Sequence, residues 1–163
     1  MLVGVALALW MGFGRFLFGV GGGLTWWYAP LIALPFAVLQ IATVLRVRVA
    51  EDRGRPVGRA TYVTLVLSWV SALGFGYTVP DSVPGAAGGE LVSIMSLHAG
   101  EQWLGMSIAL CNPFGIIAFA LVIASLAFAA VAGRKPRPSE DELLDAAEAA
   151  GHAPSMVEHP LGQ

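Results

Sequence analysis

Four long runs with almost no charge dominate the chain: roughly residues 2–22, 28–45, 60–79 and 104–133. A helix that crosses a hydrocarbon core of ~30 Å needs about 20 apolar residues. The first three runs have that length, and the fourth is about ten residues longer. A water-soluble domain of this size would need a polar shell, with about 25% of its residues charged. Here 12% are charged and 56% hydrophobic. The charges fall mainly in one loop and the tail. Lipid therefore solvates most of the chain. The fold class expected is all-α: a four-helix transmembrane bundle with a short outer interfacial helix and a short cytoplasmic tail helix.

The surplus in the fourth run raises the question of where that span begins. Asn112 is a strong N-cap and Pro113 suits a first helical position. A start there gives a span over 113–133. It leaves 90–111 as an interfacial segment, amphipathic and broken near Gly100. The alternative is one kinked helix running through Pro113. Pro30 fits the first turn of the second span and Pro35 would bend it.

Direction follows from the basic residues. Arg46, Arg48, Arg53, Arg55 and Arg59 stand between spans two and three, and Arg134, Lys135 and Arg137 follow span four. The connections 23–27 and 80–103 carry no Lys or Arg, while Trp26, Trp27, Tyr28, Tyr77 and Trp103 gather there. The basic face is expected in the cytoplasm, with both termini, in the plasma membrane of a bacterium-like cell. The first run lacks a basic leader and is interrupted by Arg15, so it reads as a span and not as a cleaved signal.

The domain division is therefore 1–133 in the membrane and 134–163 as tail. In the tail, Ser139 and Glu142 have capping-box spacing and Gly151 can stop a helix over about 140–150. Leu143, Leu144 and Ala147 share its apolar face. They read either as a solvated tail or as a docking face for a cytoplasmic partner.

Arg15 is the residue that most needs explaining, because a charge inside a span costs about 2.5–3.5 kcal/mol on insertion scales. Its candidate partners are backbone carbonyls, lipid phosphate, one of Asp81, Glu90 and Glu101, or a carboxylate of another subunit. Gly4, Ala8 and Gly12, and likewise Ser68, Ala72 and Gly76, recur at every fourth position. Such ridges allow close helix packing within a bundle or between copies. The glycine-rich "GFGRFLFGVGGG" does not follow a strand, so it is no nucleotide loop.

His98 and Glu101 are spaced i, i+3, the weak candidates for metal on one helical face. Cys111 is read as a buried hydrophobe, and a single cysteine excludes an internal disulfide. No catalytic constellation and no cofactor are expected, and a net charge of −2 gives no basic face for nucleic acid. The leading expectation is a non-enzymatic accessory, assembly or scaffold subunit, partnered by lipid and by another membrane protein or its own copies. A small oligomeric transporter or channel, with Arg15 favouring an anion, comes second. A membrane enzyme or redox component is third.

Overall fold

A computed structural model describes residues 2–83, 90–134, 141, 144–146 and 149. The chain is mostly helical. Helix α1 (Leu2–Phe13) runs into a 3₁₀ turn (Gly14–Phe18). Helix α2 (Thr25–Tyr28) passes through a π turn (Ala29–Ala33) into α3 (Leu34–Asp52), and α4 covers Arg59–Thr78. Strands β1 (Asp81–Val83) and β2 (Glu90–Val92) follow, then α5 (Ile94–Ala99), a 3₁₀ turn (Glu101–Trp103) and α6 (Leu104–Ala132). Three continuous helical stretches are long and apolar enough to cross a membrane: Thr25–Asp52, Arg59–Thr78 and Glu101–Ala132. Leu2–Phe18 is also apolar but shorter.

The boundaries differ from those expected, each for a local reason. The first helical stretch stops at Phe18, not Gly22, because Gly19 takes a left-handed conformation (φ 72°). The Gly19 and Val20 amides then return to the Phe16 and Arg15 carbonyls, at 3.2 and 3.1 Å. These are the two bonds of a Schellman stop. The same device ends α3: Gly54 has φ 69°, and the Gly54 and Arg55 amides return to Glu51 and Ala50. That helix outruns its apolar stretch and carries Arg46 and Arg48 on its last turns. The π turn falls just before Pro35, whose missing N–H already interrupts the helical ladder.

The last helix begins at Leu104, so Asn112 and Pro113 lie inside it and start nothing. Its first turns are held by neighbours: Ser107 and Cys111 are both buried. The Ser107 hydroxyl donates to the Thr78 carbonyl at 2.5 Å and lies 2.7 Å from Ser93 Oγ. Packing overrides the local capping signal. The segment before it is also more ordered than a single interfacial helix. Residues Glu90–Val92 pair antiparallel with Asp81–Val83, and Ser93 and Ser96 cap each other at the start of α5.

Helix α1 packs against α3 on one side and α4 on the other, and α6 packs against the same two. The core combines Leu7, Met11, Phe36, Phe75 and Val122, with Phe36 set edge-on to Phe119 at 5.6 Å. Gly4, Ala8 and Gly12 face inward, as do Ser68, Ala72 and Gly76. A Cβ on Gly4 would meet Gln40 Oε1 at 2.8 Å, and one on Gly12 would meet the Ala33 Cβ at 2.9 Å. In the tail, Asp141, Leu144 and Ala149 are helical and Leu144 is exposed. Leu143, Ala147 and the Ser139–Glu142 box lie outside the described residues.

Gly76 admits Trp10, whose indole Nε1 donates to the Leu73 carbonyl at 3.2 Å and ties α1 to α4. A Cβ on Gly76 would stand 2.3 Å from that nitrogen. Gly76→Ala should therefore lower stability by about 1–3 kcal/mol through overpacking. Gly105→Ala, which meets open space, should lower it not at all. Thermal unfolding of both variants in the same detergent checks the pair.

A candidate functional site around Arg15

Arg15 sits in the 3₁₀ turn that closes the first helical stretch, and its side chain is fully buried. Four groups surround the guanidinium. Nη2 donates to the Gly12 carbonyl and Nη1 to the Pro80 carbonyl, both at 3.3 Å. The ring of Tyr28 lies beneath it, 4.5 Å from Cζ to centroid, within cation–π range. The Asp81 carboxylate, also fully buried, approaches Nη1 at 3.6 Å. That separation makes an ion pair without a direct hydrogen bond.

Asp81 makes no direct bond to Arg15 because other donors occupy it. It accepts from the amides of Gly22 (3.0 Å), Leu24 (2.9 Å), Thr25 (3.0 Å) and Ser82 (2.8 Å), and from the Thr25 hydroxyl (2.5 Å). A carboxylate offers roughly four lone-pair sites, so five donors saturate it. Burial alone pushes this carboxyl up. The Thr25 hydroxyl and the Gly22, Leu24 and Ser82 amides outweigh burial, so it stands below the ordinary carboxylate value. Asp81 also faces the N-terminus of α2, while Arg15 faces the C-terminal carbonyls of α1, each charge at the favourable end of a helix.

The glycine run explains itself here. A Cβ on Gly22 would fall 1.8 Å from the Ser82 carbonyl oxygen, so no other residue fits without moving the strand. The loop before α2 does cradle an anion with its amides, as such concave backbones do. The anion is the chain's own Asp81. Among the partners considered for Arg15, Asp81 and backbone carbonyls are present together. Glu90 and Glu101 are exposed.

Two further polar clusters bridge helices. Gln40 Nε2 donates to Ser68 Oγ at 3.3 Å, and Gln40 Oε1 accepts from Trp69 Nε1 at 3.2 Å. The Ser125 hydroxyl donates to the Thr61 carbonyl at 2.9 Å. Gln40 stood out in the sequence only as a lone amide in an apolar span. Its partners were invisible there because they come from another helix.

His98 and Glu101 do not share a helical face. Helix α5 ends at Ala99, and Gly100 breaks the backbone at φ 104° between them. The His98 ring instead sets Nδ1 2.8 Å from the Ile94 carbonyl and packs edge-on to Phe18 at 5.7 Å. Cys111 is buried with Sγ 3.2 Å from the Ile108 carbonyl. Among the described residues, no three His, Cys, Asp or Glu side chains come together in a metal-ligand cluster.

A carboxyl held below its ordinary value stabilises the fold above about pH 4, and that stability is lost as pH falls further. The melting temperature should thus stay level from neutral pH to about pH 4–5 and then drop. In Asp81→Asn the acid-side drop should be shallower, from a lower starting point. A pH series of thermal melts on both proteins reads this directly. The chain matches no protein-family model, no curated protein and no solved structure.

Proposed function

We propose that the chain is a non-enzymatic membrane protein of four spans, with both termini in the cytoplasm. It serves as an accessory, assembly or scaffold subunit of a larger membrane complex. One observation carries this reading: most of the buried polar side chains among the described residues find partners within the fold, Arg15 Nε and Thr61 Oγ1 excepted. Arg15 pairs with Asp81 through charge, and Gln40 with Ser68 and Trp69, Ser125 with the Thr61 carbonyl, and Ser107 with the Thr78 carbonyl and Ser93 are hydrogen-bonded inside the fold. Little remains in the apolar zone to bind, carry or convert a substrate.

The fourth crossing is assigned to Leu2–Phe18. Twelve α and five 3₁₀ residues extend about 28 Å, close to a ~30 Å hydrocarbon core. Orientation is supported by the placing of the arginines. Arg53 and Arg55 both donate to the Gly133 carbonyl, at 2.9 and 3.0 Å, which gathers the basic residues after α3 and α6 at one end. Such an end faces the cytoplasm by the positive-inside rule.

A second reading keeps Arg15 as an anion site in a small oligomeric transporter. Its support is one atom: Arg15 Nε is buried and has no partner among the described residues. A carboxylate at 3.6 Å already balances the charge and makes a passing anion less welcome.

Purification of a tagged chain under mild detergent should yield a stoichiometric membrane partner. A clean monomer contradicts the subunit reading. Anion flux in proteoliposomes that vanishes with Arg15→Leu would put the transporter first. In intact cells, a cysteine introduced at Glu90 should label with an impermeant reagent and one at Pro56 should not.

A further inference from the structure

At the basic end, α3 and α6 flank a pocket of about 330 Å³ lined by Arg46, Val49, Arg53, Ala130, Gly133 and Arg134. Arg46 and Val49 lie three apart on one face of α3, and Arg53 follows as its C-terminal cap. Arg134 closes the pocket from the end of α6. Its wall is apolar toward the spans and cationic at the rim. We infer that this pocket binds the phosphate headgroup of an anionic phospholipid from the leaflet at that end, its acyl chains lying along α3 and α6. The inference rests on the membrane reading above.

The charges favour it on balance. Two helix C-termini point at the pocket, and each carries roughly half a negative charge, which opposes an anion. Three guanidiniums outweigh them. Part of that charge also serves the fold: Arg53 donates to Gly133, while neighbouring Arg55 donates to Gly133 and Arg134 carbonyls. A guanidinium has five donors, so Arg53 keeps most of its own, and Arg46 and Arg134 make no side-chain bond among the described residues. Of the nearby acids, Glu51 takes the Tyr62 hydroxyl at 3.2 Å, and neither Glu51 nor Asp52 lines the pocket. Basic pockets between helices at the membrane surface suit phosphodiester headgroups, and flanking valine and alanine suit the first methylenes.

The test is binding of phosphatidylglycerol to the full chain in a neutral detergent, read by native mass spectrometry and thermal shift. Phosphatidylcholine with the same acyl chains and inorganic phosphate run alongside. Phosphatidylglycerol should be retained and stabilising; the other two should not. Arg46→Gln and Arg134→Gln should each weaken it about fivefold, about one arginine's attraction at a membrane surface. Both leave the Arg53 and Arg55 bonds to Gly133 in place. Arg59→Gln removes the same charge at the same end outside the pocket and should change nothing. Equal loss in Arg59→Gln would mean diffuse attraction and overturn the pocket. Equal retention of phosphatidylcholine would overturn headgroup selection, and equal stabilisation by inorganic phosphate would make it a free-anion site. The assay does not depend on sidedness: labelling that puts Pro56 outside overturns the orientation proposed above, while headgroup binding is judged in micelles.

Discussion

The buried pairing of Arg15 with Asp81 joins parts of the chain that lie far apart in sequence. Arg15 lies in the turn that ends the first helical stretch, Asp81 begins the β1–β2 pair, and the loop from Gly22 to Thr25 wraps the carboxylate where the second long helix starts. Neither charge is tolerable there alone, because a buried ion pair gains only when its remaining donors and acceptors are met. Five donors on Asp81 and two carbonyls plus a tyrosine face on Arg15 meet most of that demand. The pair therefore sets geometry more than it adds stability: it fixes where α1 stops, where α2 starts and how the hairpin lies over both.

The same logic runs down the molecule. Small polar contacts tie α4 to each of the other three long helices: Trp10 with Leu73, Gln40 with Ser68, Ser125 with Thr61. Lipid tails are as apolar as leucine, so helices in a bilayer gain little by hiding leucine from them. Close packing at small residues and interhelical hydrogen bonds do that work instead. The exposed leucines, isoleucines and valines along α3, α4 and α6 are then what a lipid-facing surface requires, and exposed tryptophans at the end away from the arginine cluster suit an interface.

Much of this could be read from the residues, and the exceptions have a common cause. Apolar run length gave the helices, and arginine placement gave the clustering at one end. Stops were legible to within a few residues, since Gly19 and Gly54 are ordinary places for a left-handed turn, but nothing in the run 19–23 says which glycine takes it. The Asn112–Pro113 signal misled because capping is a local preference of about 1 kcal/mol. Ser107 and Cys111, packed against α4 and α5, outweigh it. Arg15 announced itself by cost alone. Asp81 was one acid among several in an outer segment, and only the fold brings the Gly22 and Thr25 amides to it from 56 or more positions away. The i, i+3 spacing of His98 and Glu101 assumed a helix that Gly100 does not permit.

A double-mutant cycle on Arg15→Leu and Asp81→Leu, scored by unfolding in one detergent, tests the pairing most directly. Each single change should cost about 3–5 kcal/mol by stranding the opposite charge, and the double change should cost less than their sum by at least about 2 kcal/mol. Costs that simply add, within about 0.5 kcal/mol, would mean that the two side chains do not hold each other in the folded protein.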